Sequence, residues 1–162
     1  MRTVIGVMGG SEADGRTLAA ARELGRLIAG RGWVLLNGGR SAGVMDASAA
    51  GAREAGGLVV GVLPDRDTTR TSEHVDVAIL TGLGDARNVV NVLSSHVVVV
   101  CRGSAGTVSE VAHALNAERP VVCLDFPLGG LFSEYERSGR LVHAATPAEA
   151  IERVASFLGE DA

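Results

Sequence analysis

The sequence predicts an α/β fold: a three-layer sandwich whose doubly wound, mainly parallel sheet of about 6–7 strands carries helices on both faces. Short β-branched runs alternate along the chain with longer Ala/Leu/Arg segments, and strand–helix–strand order implies crossover connections and hence parallel pairing. Glycine, 22 of 162 residues, gathers in loops that follow predicted strands and precede predicted helices. With 46% hydrophobic residues, a mean hydropathy of +0.24 and a net charge of -4, the chain reads as one soluble globular domain over 1–162. A chain of this length buries enough surface to fold without disulfides or a structural metal.

The first strand is expected at Thr3–Val7, because TVIGV is apolar, is too short for a signal-peptide core and has no A-x-A cleavage pattern. A helix over Arg16–Ala29 follows, then a strand at Trp33–Leu36 and an alanine-rich helix over Val44–Ala55. Valine-rich runs place strands at Leu58–Leu63 and Val75–Leu80, and a helix over Ala86–Ser94 leads to a strand at Val97–Cys101. A helix over Thr107–Glu118, a strand at Val121–Leu124, a short helix over Leu131–Arg137 and a strand at Leu141–His143 complete the alternation. The last helix is the best marked: Thr146 stands at the cap, Pro147 at the first helical position and Glu149 three residues after the cap, with a stop near Gly159. No linker, internal repeat or low-complexity tract interrupts the pattern.

Composition excludes several functions. The 15 Lys+Arg residues are all arginine, so the Walker A lysine, the Schiff-base lysine of pyridoxal phosphate enzymes and any lysine general base are missing. One Trp, one Tyr and three Phe on an acidic chain make no basic, aromatic surface for nucleic acid. No stretch approaches the 18 apolar residues of a membrane span. Cys101 and Cys123 lie in apolar runs and read as reduced core thiols, which places the chain in the cytoplasm. The four histidines have no zinc-like spacing with the cysteines, so no metal site is expected.

Three glycine clusters carry the functional signal: MGGS with Gly9, Gly10 and Ser11; NGGRSAG with Gly38, Gly39, Arg40 and Gly43; and RGSAG with Arg102, Gly103, Ser104 and Gly106. In a parallel sheet all strand-to-helix loops lie on the carboxyl edge, so the three can face one crevice. Glycine lets a ligand approach backbone N–H groups, and each following helix offers unpaired donors at its positive end, which is a phosphate site. None of the clusters matches G-x-G-x-x-G, so the NAD-type fingerprint is absent. Arg87, in GDARNVVNV, falls at a helix start near the same edge, as an anion ligand or as a solvated surface arginine. Glu110 is placed three residues into the helix after RGSAG, as a site carboxylate or as an ordinary helix-start acid. Glu110 and His113 form an E-x-x-H pair without the second pair a di-metal centre needs. GSAG resembles a nucleophile elbow, with Asp125 and His143 following, but Arg102 replaces its first glycine.

The segments GGRSAGVMDASAAGAREAGGLVVGVLP, GDARNVV and GSAGTVSEVAHAL, together with VIGVMGGS and RPVVCL, resemble the molybdenum-cofactor carrier proteins. These belong to a Rossmann-like superfamily with the LONELY GUY phosphoribohydrolases, often mislabelled lysine decarboxylases. The resemblance implies that Gly103, Gly106, Thr107 and Glu110 stand in a Gly-Gly-x-Gly-Thr-x-x-Glu signature whose loop binds phosphate, with Arg87 the partner arginine, and that Gly38, Gly39, Gly43 and Met45 form an earlier glycine-rich motif. It implies a carrier for a phosphorylated ligand, a nucleotide or a molybdenum-cofactor-like pterin, with no tightly required cofactor. The alternative it offers is a hydrolase splitting nucleoside 5'-monophosphates into base and ribose 5-phosphate, with Glu110 at the glycosidic bond. A homo-oligomer, dimer or tetramer, is also implied, for which the alanine-rich helices are candidate interfaces. Two positions depart from the signature. Ser104 replaces its second glycine, at a cost of about 1–2 kcal/mol if that position needs positive φ. Arg102 stands where relatives carry Pro or Gly, and either adds a phosphate contact or fills the pocket.

Overall fold

The computed structural model describes residues 1–160. Seven strands form one all-parallel sheet: β1 Val4–Met8, β2 Val34–Asn37, β3 Val59–Leu63, β4 Val77–Leu80, β5 Val97–Cys101, β6 Val121–Leu124 and β7 Leu141–Ala144. Their order is β4-β3-β2-β1-β5-β6-β7, so the chain steps outward from β1 to β4 and returns to the other side of β1 as β5. The reversal at β1/β5 opens a crevice at the carboxyl ends of these strands, where side-by-side loops turn away from each other.

Alternate residues of the central strands feed two cores. Ile5, Leu35, Val97 and Val99 pack under α1 Gly15–Gly30, α2 Gly43–Glu54 and α6 Pro147–Leu158, whereas Met8, Leu36, Val98 and Val100 pack under α3 Arg87–Leu93 and α4 Ala105–Asn116. The short α5 Ser133–Arg137 leads into β7. Burial on both faces is why the strands read as continuous apolar runs. The expected capping of α6 is present: Thr146 Oγ1 accepts from Glu149 N at 3.2 Å, Glu149 Oε2 accepts from Ala145 N at 2.8 Å, and Gly159 closes the helix at φ 69°.

The structure moves three expected features. β4 begins at Val77, not Val75, because the Asp76 carboxylate takes the Val59 N–H (2.8 Å) in place of a ladder bond. α4 begins at Ala105, two residues before the expected Thr107, which carries Glu110 from the first turn into the second. The alanine-rich α1 and α2 are largely spent on each other: Gly25 lies against the Ser48 carbonyl and Gly51 against the Arg22 carbonyl, so the two helices meet backbone to backbone. The apolar surface left open lies elsewhere. Val77, Ile79 and Leu80 of edge strand β4, with Leu83, Val89 and Leu93 on the chain that follows, are each 37–55% exposed. Among the described residues no helix is long and apolar enough to cross a membrane.

Candidate ligand-binding site

The β1, β2 and β5 loops meet through Gly10. Its N–H donates to the Arg102 carbonyl (3.3 Å) and its own carbonyl accepts from Val44 N at the start of α2 (3.0 Å). Gly43, at φ 54°, lets α2 begin against the Gly10 and Ser11 backbone, where a Cβ would collide. Asn37, fully buried at the end of β2, fixes the second loop: its amide donates to the Met45 carbonyl (2.8 Å) and to Ser48 Oγ (3.1 Å), and its Oδ1 accepts from Gly39 N (2.8 Å). NGGRSAG is therefore a turn held by its own first residue.

A cleft of about 210 Å³ opens over these loops. Of the residues singled out in the sequence, Gly9, Gly10, Ser11, Gly38, Arg40, Met45, Arg87, Ser104, Gly106, Thr107 and Glu110 line it. Gly39 and Gly43 shape the β2 loop behind it, and Gly103 packs on Thr107 and Gly10. Arg102 turns away to the Asp125 carbonyl (3.1 Å), so it neither fills this cleft nor contacts it, and lines an adjoining cavity of about 390 Å³ with Glu12 and Asp14. The two spaces share Gly10, Ser11 and Ser104, and together they fall in the range of small-molecule sites, about 300–1,000 Å³. Pro64, Asp85 and Asn88 also line the cleft. All three lie outside the glycine clusters, although Asp85 stands two residues before Arg87 in GDARN.

The three helix starts behind the glycine loops are not equivalent. At α1 the Asp14 carboxylate accepts from Thr17 N (2.7 Å), so this helix's positive end already faces a side-chain anion. Ala42, the N-cap of α2, makes no side-chain capping bond, and Val44 N is taken by Gly10. Ser104, the N-cap of α4, also makes no side-chain capping bond, and among the described residues the first amides of α4, at Ala105, Gly106 and Thr107, donate to no acceptor. This is the anion-receptive end of the cleft. Ser104 sits at φ -99° and ψ -163°, an ordinary extended conformation, so the replacement of glycine there carries no left-handed strain.

Arg87 is not a surface arginine. It is 9% exposed, and among the described residues it has no ion pair within 4.0 Å and its Nε has no hydrogen-bond partner. A Cβ on Gly38 would lie 2.6 and 2.7 Å from the two Arg87 Nη atoms and 2.5 Å from Met45 Sδ, so the bare Cα of Gly38 is the seat of the guanidinium. Burial lowers the Arg87 pKa, opposed first by the charge of Glu110. Arg40 differs: its Nη2 lies 3.2 Å from Asp65, whose carboxylate also takes Arg70 at 2.8 Å. Glu110 is 6% exposed, and burial pushes its carboxyl up to about 7 against the opposing pull of Arg87 and the Asn91 amide. The cleft thus combines a buried guanidinium without a direct ion pair, free amides and a buried carboxyl whose pKa is raised by its burial. That is an environment for an anion.

The SLOG cluster4 family profile matches residues 2–151. The fold superposes with a TM-score of 0.92 on the molybdenum cofactor binding protein of Rippkaea orientalis, at 44% identity over 98% of each chain. It superposes at 0.89 on the Moco carrier protein of Chlamydomonas reinhardtii, again at 44% identity, over 98% of this chain and 99% of that one. A cytokinin riboside 5'-monophosphate phosphoribohydrolase of Mycobacterium tuberculosis is 33% identical over 71% of this chain and 66% of its own length. Near-complete coverage at such identity makes the kinship one of sequence as well as fold: the chain belongs to the SLOG cluster4 family, alongside the Rossmann-like molybdenum-cofactor carrier proteins.

Proposed function

We propose that this protein is a carrier that holds a phosphorylated pterin of the molybdenum-cofactor type, with the phosphate on the first amides of α4 and Ser104 and with Arg87 as its counter-ion. The observation that carries the reading is Arg87, a buried guanidinium with no ion pair within 4.0 Å among the described residues, seated on Gly38 and lining the same cleft as the uncapped start of α4. A buried charge that lacks a direct ion pair is costly, and a phosphate would supply one. Similarity to carriers over almost the whole chain supports the pterin as cargo. The same reading puts the protein in the cytoplasm, where the buried free thiols Cys101 and Cys123 stay reduced. Native mass spectrometry and calorimetric titration with molybdopterin and nucleoside monophosphates test it. Arg87→Ala should weaken binding at least about tenfold, the value of a charged hydrogen bond, while the chain stays folded. A folded wild-type protein that binds no phosphorylated compound refutes the reading.

The hydrolase reading rests on the Mycobacterium relative and on Arg87 and Glu110 facing one cleft. It is the weaker of the two, because that relative is less similar to the chain and covers less of it than the carriers do. Release of ribose 5-phosphate from nucleoside monophosphates, abolished by Glu110→Gln, would reverse the order. We also propose self-association through the open face of β4 and α3 rather than through α1 and α2, since a bare apolar edge strand is a ready pairing surface. Light scattering of Ile79→Glu against wild type tests that choice.

A further inference from the structure

The cleft has two chemically different ends. Its anion end lies at the β5–α4 loop, and its other end lies under Pro64 at the close of β3, beside Asp85 and Asn88 from the 3-10 turn Gly84–Ala86 and the start of α3. In the order β3-β2-β1-β5 these ends are three strand spacings apart, about 14 Å. That is room for an extended monophosphate with its ring at one end and its phosphate at the other. The far end holds a carboxylate that has no direct partner among the described residues and whose charge acts on the nearby Arg87 guanidinium. Asp65 is held by Arg40 and Arg70, and Glu110 is buried beside Asn91, but Asp85 is exposed on the cleft wall and, among the described residues, its side chain makes no hydrogen bond or ion pair.

Resting on the carrier reading above, we infer that Asp85 is the specificity residue of the site, selecting a 2-amino-4-oxopyrimidine ring, the edge shared by pterins and guanine, over adenine. An ionised carboxylate only accepts, through two parallel oxygens. The 2-amino-4-oxopyrimidine edge presents two parallel donors, the ring N–H and the exocyclic amine, which match that pair. Adenine presents one donor beside a ring-nitrogen acceptor, so one carboxylate oxygen would face a lone pair, and a mismatched polar pair in a partly closed site discriminates strongly. Asn88, next along the wall, carries both an amide donor and an acceptor and can serve the ring's carbonyl.

The test is competitive titration of GMP, AMP, a pterin monophosphate and inorganic phosphate against wild type and Asp85→Asn. Wild type is expected to favour GMP and the pterin over AMP by about 10-fold or more, as for a charged hydrogen bond made or lost. Asp85→Asn should lose that preference while inorganic phosphate competes at least as well as against wild type, which also shows that the variant keeps its anion end. Equal wild-type affinity for GMP and AMP, or a preference that survives in Asp85→Asn, overturns the assignment and leaves the phosphate-binding reading standing. Failure of every compound, inorganic phosphate included, overturns both.

Discussion

Replacing Glu110 by Gln should make the chain more stable at pH 8 and leave it almost unchanged at pH 4.5. In the folded protein the carboxyl is pushed up to about 7 from its ordinary 4.5, chiefly by burial. Between those two values the unfolded chain has released the proton and the folded chain has kept it, so unfolding releases a proton and rising pH favours it. The contribution of the protonated group is fully present below pH 4.5 and is lost as pH rises through 7. A difference of this size between the two states corresponds to about 3 kcal/mol at about 1.4 kcal/mol per unit. Gln keeps the shape and does not titrate, so the stability difference between the two proteins should grow by about 3 kcal/mol across the window, roughly 6–12 °C in Tm for a chain of this length. Urea unfolding of both proteins at pH 4.5, 6, 7 and 8 reads it directly, and other titrating groups cancel in the comparison. A difference that is flat with pH would mean that Glu110 is hydrated or firmly ion-paired, and the account of the cleft's electrostatics would be wrong.

Gly38→Ala should leave the fold intact but weaken ligand binding at least about tenfold, because the new Cβ displaces only the flexible ends of Arg87 and Met45; calorimetry beside a thermal melt separates the two effects. Gly51→Ala should instead cost about 3 kcal/mol of stability in urea unfolding, since its Cβ meets the Arg22 backbone carbonyl and α1 must move off α2. Cys101 and Cys123, both buried with thiols pushed up to about 12, should not react with a disulfide reagent at pH 8 until the chain is unfolded.

The alternation of strands and helices was legible because the central β-branched runs are buried on both faces and stand out against alanine-rich helices. Helix starts were less so. Asp14 and Ser104 are both good capping residues by type, yet only Asp14 makes a side-chain capping bond, and the beginning of α4 at Ala105 moved Glu110 two residues further into the helix. At the site, glycine clusters marked the loops after β1, β2 and β5, but the loop after β3 contributes Pro64 and carries no such mark. The burial of Arg87 was hidden for a different reason. Composition treats an arginine at a helix start as solvated, and only the bare Cα of Gly38, 49 positions away, makes room for it. Arg102 illustrates the reverse: a cation in the signature loop is drawn aside by Asp125, a residue of another strand end.

The backbone-to-backbone seating of α1 on α2 has a kinetic consequence. A contact made of Cα atoms and carbonyls has no rotamers to rearrange, so that side of the cleft is a stiff jaw. Any widening that lets cargo in or out therefore falls to the opposite jaw, α3 and α4, which carries Arg87, Glu110 and the free amides. In the carrier proposed above, release would then loosen the groups assigned to the anion, through one layer of helices sliding on the sheet rather than closure of two domains.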